Sequence, residues 1–255
     1  MGLTIAVANQ KGGVGKTTTA VNMAYALANH GKKVLIIDAD PQASATIYLS
    51  RDPRELEAKQ QTLYYGLLKD KPLIELLIEG NPALIPSSIM LSAADAELMS
   101  EPFSSAVLKE KVNGLSEAYD FIVIDTPPNL SLLTINALSA ADRVLIPTKA
   151  EYLDIMGIPL LFETIQKIQR RGNNRLQVLG VLPTLFNAHF SQDKAILEEL
   201  RASIGDRTRI FDPINRSTAF GRSASAGKPI LELEPDVPGA QVYYKLAEEL
   251  IAYAA

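Results

Sequence analysis

Continuous apolar runs of strand length alternate along the chain with longer segments whose apolar residues recur at helical spacing. The apolar runs are Leu3–Ala8, Lys33–Asp38, Phe121–Asp125, Arg143–Pro147 and Leu176–Leu182. The helical segments are Thr17–His30, Leu132–Ala140, Ile158–Arg170 and Ser191–Ser203. Strands that do not alternate apolar with polar residues are buried on both faces, which is typical of a parallel sheet covered by helices. The pattern therefore predicts an α/β fold with a doubly wound, mostly parallel sheet flanked by helices.

Prolines divide residues 50–115 into short segments. We predict helices at Leu73–Glu79 and Val107–Leu115 and a strand at Ala83–Pro86, and we interpret the stretch as a helical crossover between sheet strands. No internal repeat, low-complexity linker or change of composition divides the chain, so residues 1–255 are expected to form a single domain.

Composition excludes several classes of protein. The chain has no cysteine and two histidines, which rules out disulfides, zinc fingers, iron–sulfur clusters and cysteine nucleophiles. The N-terminal residues lack a basic segment and a cleavage site, so no signal peptide is expected. No apolar run approaches the roughly 18 residues that a membrane span needs. A cytoplasmic protein is predicted.

Glycines and lysines are concentrated between the first predicted strand and the first predicted helix. They belong to the run Lys11, Gly12, Gly13, Val14, Gly15, Lys16, Thr17 and Thr18. Glycines allow a tight turn that brings backbone N–H groups close to phosphate oxygens, and the helix N-terminus favours the same anion. Lys16 is expected to reach the β- and γ-phosphates, and the Thr17 hydroxyl to bind Mg²⁺. The run predicts a site for a nucleoside triphosphate.

Carboxylates stand where two predicted strands end. Asp38 ends the second apolar run, Asp40 follows two residues later, and Asp125 ends the third run. The carboxyl ends of parallel strands face the ligand crevice. Asp125 after a hydrophobic strand is typical of a Walker B aspartate, which holds Mg²⁺ through a water or through the Thr17 hydroxyl.

The loop departs from the general phosphate-loop pattern. Gln10 stands where that pattern has its first glycine, and a second lysine, Lys11, precedes two glycines. Together with Ile37–Gln42 and Asp125–Pro128, this run resembles the deviant Walker A motif of the ParA/MinD family of ATPases. The resemblance covers nearly the whole chain and is closest to the ParA branch, which partitions or positions large cargoes.

The resemblance implies ATP and Mg²⁺ as ligands and a homodimer in the ATP state. Lys11 would then reach the partner's nucleotide, while Asp40 orients the attacking water. Asp38 would belong to the magnesium shell or the switch region. The family's adenine-contacting positions fall on Asn187, Pro213 and Asn215.

Charge is distributed unevenly along the chain. The formal net charge is −4, but residues 151–228 hold 11 basic and 8 acidic side chains. A basic surface attracts phosphate backbones of any sequence, and ParA-like dimers use one to bind DNA on the nucleoid. The candidate DNA-binding residues are Lys167, Arg170, Arg171, Arg216 and Arg222. The resemblance further implies slow hydrolysis that a ParB-like adaptor stimulates, and a plasmid, a chromosome or a protein organelle such as a carboxysome as cargo.

Two alternatives remain open from the sequence. A MinD-like division-site regulator would need a basic amphipathic membrane helix, but Glu248 and Glu249 lie on the polar side of Gln241–Ala254, which predicts a helix packed in the core. A metabolic enzyme on the same scaffold is the other alternative, although the absence of cysteine excludes an iron–sulfur reductase. No membrane partner is expected. Lys149 is either an exposed lysine or a group near the nucleotide or the dimer interface.

Overall fold

Six parallel strands form one sheet in residues 2–101 and 103–254, the part of the chain that this computed structural model describes. The strands are β1 (Leu3–Val7), β2 (Val34–Asp38), β3 (Ala83–Ile85), β4 (Phe121–Asp125), β5 (Arg143–Lys149) and β6 (Gln177–Thr184). They lie in the order β3-β2-β4-β1-β5-β6, and every neighbouring pair is parallel. The predicted fold class is confirmed.

Helices connect the strands and cover both faces of the sheet. They are α1 (Lys16–Asn29), α2 (Ser44–Tyr48), α3 (Pro53–Ala58), α4 (Leu63–Leu68), α5 (Leu73–Leu76), α6 (Ala94–Leu98), α7 (Val107–Asn113), α8 (Leu132–Ala140), α9 (Tyr152–Ile155), α10 (Ile158–Arg171), α11 (Ser191–Ile204), α12 (Ala219–Ser225), α13 (Ile230–Leu233) and α14 (Gln241–Ala254). A 3₁₀ helix spans Ile89–Ala93. The predicted helix Leu73–Glu79 is too long, because an antiparallel bridge joins Ile78 to Leu84 and ends α5 after one turn.

Successive side chains of each strand enter opposite layers of the core. Ile5 and Val7 of β1 pack in the layer that holds α1 and α14, whereas Ala6 packs in the layer that holds α10 and α11. Each layer is apolar, so both faces of a strand are buried. This two-sided burial explains why the strand sequences read as continuous apolar runs.

The sheet topology places one crevice at the carboxyl end of β1. The connection from β1 to β2 passes over β4, and the connection from β4 to β5 passes over β1. The chain therefore leaves β1 and β4 in opposite directions from neighbouring positions. A crevice at such a reversal of strand order is the usual ligand site of an open parallel sheet.

The C-terminal helix α14 packs on α1, as the sequence predicted for a core helix. Tyr243, Leu246 and Leu250 are each about 1% exposed, while Glu248 faces solvent. In the described residues, no helix combines the length and the apolar character that crossing a bilayer requires.

If α14 belongs to the core, Leu246→Ala lowers the free energy of unfolding by about 2–5 kcal/mol, because it leaves a cavity under the helix. Glu248→Ala is the matched control on the exposed side, with an expected change within about 0.5 kcal/mol. Urea denaturation followed by circular dichroism measures both. Equal stabilities of the two variants would contradict the packing of α14.

Candidate functional site

The loop between β1 and α1 turns through two glycines in the left-handed region. Gly13 has φ 67° and Gly15 has φ 82°, values that only glycine adopts without steric cost. The Asn9 side chain fixes the start of the loop, because its amide donates to the Pro147 carbonyl at 2.7 Å and its oxygen accepts from the Lys11 N–H at 3.0 Å. The loop is thus anchored to β5 while its backbone curves in the way that a phosphate cradle needs.

Lys16 begins α1 and points back toward the loop. Its Nζ donates to the Lys11 carbonyl at 2.9 Å, and the residue is 7% exposed. Burial lowers the pKa of Lys16, while Asp125 and Asp40 oppose that shift. An ammonium group with few solvent contacts, beside a helix N-terminus, is a strong binding group for phosphate.

Asp125 ends β4 fully buried, and in the described part of the chain neither of its carboxylate oxygens has a hydrogen-bond partner. Burial raises the pKa of Asp125 well above its ordinary value, and Asp38 raises it further. The Thr17 hydroxyl and Lys16 act in the opposite direction. Unsatisfied buried carboxylate oxygens beside a hydroxyl fit the hard oxygen ligands that Mg²⁺ prefers.

Among the residues described, no three acidic or histidine side chains are grouped closely enough to hold a metal ion by themselves. Mg²⁺ at phosphate sites commonly takes one or two protein oxygens and completes its shell with phosphate oxygens and water. Asp125 and Thr17 fit that role best, because the Asp38 carboxylate is already occupied.

Asp38 ends β2 and holds the next helix. Its Oδ2 accepts from the backbone N–H of Thr46 at 2.8 Å and from the Thr46 hydroxyl at 2.7 Å, and its Oδ1 accepts from the Asp40 N–H at 3.2 Å. Burial raises the pKa of Asp38 to about 6 despite these hydrogen bonds. Of the two roles predicted for Asp38, the contacts favour anchoring the switch region.

Asp40 lies two residues further on and faces the cavity. It is 7% exposed, and its Oδ1 accepts from the Gln42 N–H at 2.9 Å. Ala43 then adopts φ 53°, a left-handed conformation that costs a non-glycine residue about 1–2 kcal/mol. Backbone strain therefore sits in the loop that carries Asp40.

A cavity of about 540 Å³ opens over the phosphate loop. Its predicted members are Gly12, Gly13, Gly15, Lys16, Thr17, Thr18 and Asp40. Pro128, from the motif Asp125–Pro128, also lines it. Its unpredicted members are Ser44, Ile47, Tyr48, Leu185 and Ala224. Most of these are small or apolar residues whose position depends on the tertiary fold, so no sequence motif marks them.

The three adenine candidates lie outside the lining of this cavity. Asn187 accepts from the His189 N–H through its side chain, and Asn215 forms an isolated bridge with Phe186. Pro213 belongs to the same segment, which runs beside the extension of β6. The extension of β6 reaches the cavity at Leu185, and the role of Asn187, Pro213 and Asn215 toward a base stays a prediction.

The basic candidates do not form one surface on a single chain. Lys167, Arg170 and Arg171 are exposed on α10, whose buried side packs on one face of the sheet. Arg222 is on α12, which packs on the opposite face. Doubly wound folding separates segments that are close in sequence, so the formation of one DNA-facing surface by these residues in a dimer stays a prediction. Arg222 also forms a forked ion pair with Glu234 at 2.8 and 2.9 Å.

Comparison with known proteins agrees with the predicted family. A family model described as "AAA domain" matches residues 2–178. The chain is 39% identical to the sporulation initiation inhibitor protein Soj of Bacillus subtilis, covering 99% of both chains. It is 38% identical to the chromosome-partitioning ATPase Soj of Thermus thermophilus, covering 97% of this chain and 95% of that protein.

Solved structures show the same fold over nearly the whole chain. Apo McdA of Cyanothece superposes with a TM-score of 0.88 at 29% identity, covering 98% of this chain and 100% of the other. Cobyrinic acid a,c-diamide synthase of Mycobacterium smegmatis, with a bound ATP analog and magnesium, gives 0.84 at 31% identity, with 99% and 96% coverage.

The raised pKa of Asp38 predicts how stability depends on pH without nucleotide. Folding favours the protonated carboxyl, so the wild type loses stability relative to Asp38→Asn as pH rises through about 6. The difference in unfolding free energy between pH 4 and pH 8 is on the order of 3 kcal/mol. Urea denaturation across this range measures it, with exposed Asp236→Asn as control. Parallel pH profiles for Asp38→Asn and the wild type would refute the shift.

Proposed function

The chain belongs to the ParA/MinD family of ATPases, and on that premise we propose that it is an ATP-dependent positioning switch. It binds ATP with Mg²⁺, dimerises in the ATP state and hydrolyses the nucleotide slowly. The dimer binds DNA without sequence preference and releases it after hydrolysis. A ParB-like adaptor stimulates this step and links the switch to its cargo.

One observation carries the proposal. Lys16, Thr17, Asp40 and Asp125 converge at the carboxyl edge of β1, β2 and β4, beside a loop that contains the second lysine, Lys11. A phosphate site alone would need only the glycines and Lys16. The added carboxylates support hydrolysis, since they hold a cation and a water near the same phosphates.

Each residue of the site has a separate role in hydrolysis. Asp125 and Thr17 would hold a Mg²⁺ ion, which would supply positive charge next to the phosphate oxygens. Lys16 together with the backbone N–H groups of the loop binds the phosphates. Asp40 orients the attacking water by hydrogen bonding. A single carboxylate is a weak base for water, so orientation rather than proton removal accounts for its effect.

Lys11 supplies a cationic group that the nucleotide site of a single chain lacks. It does not line the cavity of its own subunit, where only its carbonyl takes part through Lys16. In a facing dimer its ammonium reaches the partner's nucleotide and stabilises charge in the transition state. Cations supplied in trans to phosphoryl transfer raise rates by roughly 10³–10⁵ in other enzymes.

DNA binding by the dimer rests on the basic residues already described. Two copies of the exposed Arg216 add positive charge near the C-terminal part of the chain, and Arg222 adds to it where a phosphate replaces Glu234, which supports attraction to any phosphate backbone. The chromosome-partitioning ATPase Soj of Thermus thermophilus supports a chromosomal cargo, whereas a plasmid or a protein organelle as cargo rests on the family resemblance alone. We therefore place the active protein on the nucleoid in the cytoplasm.

The likeness to a diamide synthase favours a second candidate, a metabolic ligase on the same scaffold. The greater identity to both Soj proteins over nearly the whole chain favours the switch. Hydrolysis coupled to amide formation with a carboxylate substrate, and independent of DNA, would establish the alternative. A membrane-bound regulator is disfavoured because α14 packs in the core.

Two variants separate dimerisation from hydrolysis. Lys11→Ala is expected to abolish ATP-dependent dimerisation, whereas Asp40→Ala still binds ATP and dimerises but turns over at least about 100-fold more slowly. Sedimentation velocity and phosphate release measure the two steps, and exposed Lys59→Ala is the control. Unchanged dimerisation and hydrolysis in Lys11→Ala would refute the role of Lys11 in the dimer. Wild-type turnover in Asp40→Ala would refute the role of Asp40 in orienting water.

The DNA-binding step has its own test. Replacing Arg216 and Arg222 by alanine should weaken ATP-dependent binding to random-sequence duplexes and reduce the salt dependence by roughly one ion per lost phosphate contact. Arg201→Ala, an exposed arginine on α11, is the control. Fluorescence anisotropy over a range of salt concentrations gives the slope. Binding that is absent in the wild type, or unchanged in the double variant, would exclude this surface.

A further inference from the structure

The Arg222 guanidinium on α12 donates hydrogen bonds from each of its three nitrogens. Its Nη2 donates to the two carboxylate oxygens of Glu234 at 2.8 and 2.9 Å, and its Nε donates to one of them at 3.2 Å. Its Nη1 donates to the Thr218 hydroxyl at 3.2 Å. A guanidinium binds a phosphate group through the same fork of N–H donors. The Glu234 carboxylate therefore occupies the position that a phosphate would take on Arg222.

Buried contacts hold the backbone on both sides of this ion pair. The next residue of α12, Ser223, is fully buried, and its hydroxyl shares a hydrogen bond with Tyr48 of α2. On the other side, α13 directly precedes Glu234 and begins at Ile230, whose N–H donates to the Asn22 side-chain oxygen of α1 at 2.8 Å. Most exposed ion pairs contribute little, because two mobile side chains must be ordered to form them. Here the core already fixes both backbones, so less order has to be imposed.

The segment from residue 216 to residue 236 carries no net charge, because it contains three basic and three acidic side chains. Lys228 is paired as well, since its Nζ lies 2.7 Å from the Glu232 carboxylate. Among the residues that the structure describes, the third acidic side chain, that of Asp236, has no cationic nitrogen within 4.0 Å. The paired cations of this segment therefore attract a polyanion fully only where a carboxylate leaves its partner.

We propose that Glu234 masks Arg222 from DNA by occupying its phosphate-binding fork, so that a DNA phosphate must displace this carboxylate to bind the arginine. The inference rests on the proposed function, in which the dimer binds DNA without sequence preference. The Arg222 side chain is 59% exposed, so DNA can reach it. Displacement leaves the Glu234 charge facing a polyanion without its partner, which lowers the affinity that Arg222 provides. A dimer carries two such pairs, so this cost counts twice.

Glu234→Gln removes the masking charge and keeps the size of the side chain. Asp236→Asn is the matched control, because it makes the same charge change two residues away without breaking an ion pair. Fluorescence anisotropy with a random-sequence duplex, a non-hydrolysable ATP analogue and Mg²⁺ measures the dissociation constant. We expect Glu234→Gln to bind about fivefold more tightly than the wild type, and Asp236→Asn to differ from it by less than about twofold. Dimerisation with the analogue, measured by sedimentation velocity, should be the same in all three proteins.

A double variant tests whether the gain in affinity comes from the released arginine. In the Arg222→Gln background, Glu234→Gln should tighten binding no more than Asp236→Asn does, because no arginine is released. A gain that persists without Arg222, or one that Asp236→Asn reproduces in full, would indicate general electrostatic attraction and overturn the inference.

A second readout does not depend on DNA. In nucleotide-free protein with ¹⁵N-labelled arginine, NMR follows the exchange of the Arg222 Nε–H with water. We expect faster exchange in Glu234→Gln and wild-type exchange in Asp236→Asn, and equal rates in the wild type and Glu234→Gln would contradict the ion pair. Wild-type binding to DNA with unchanged affinity in Glu234→Gln would overturn the inference alone. Failure of both proteins to bind the duplex would instead refute the proposed DNA-binding function.

Discussion

Crowded negative charge at the carboxyl edge of the sheet governs the whole site. Asp38 and Asp125 are partners in the register of β2 and β4, both fully buried, and Asp40 lies just beyond them. Parallel pairing forces the two carboxylates together, and burial raises the pKa of each. Lys16 offsets this charge only in part. A divalent cation bound with a polyphosphate is the ligand that satisfies such an arrangement most completely.

The same carboxylates connect the site to distant parts of the chain. Asp38 holds Thr46 at the start of α2, and the Thr46 hydroxyl also accepts from the Ser87 N–H at 2.9 Å. Two residues later, the Tyr48 hydroxyl shares a hydrogen bond with Ser223 of α12. α2 therefore joins the end of β2 to the helix that carries Arg222. A change of charge at Asp38 acts on an element that contacts both the cavity and this helix.

The fold and the centre of the site were predictable from sequence, because both depend on local signals. Two-sided burial gives each strand a continuous apolar run, and the phosphate loop needs glycine at Gly13 and Gly15 for backbone reasons alone. Predictions were wrong or stayed untested where tertiary contacts determine the end of a helix or the position of a side chain. The bridge at Ile78 shortened α5, and opposite faces of the sheet separated Arg171 from Arg222. Leu185 and Tyr48 reach the cavity without any motif.

The buried carboxylates Asp38 and Asp125 at this edge are best satisfied by a bound magnesium nucleotide. Binding must lower the raised pKa of Asp125 by placing a cation beside it, so protons leave the protein as the ligand enters. Calorimetric titration of preformed Mg–ATP at pH 6, in buffers of different ionisation enthalpy, counts those protons. We expect one-to-one binding with net proton release that falls markedly in Asp125→Asn. Binding heats that are independent of the buffer, or an absence of binding, would contradict it.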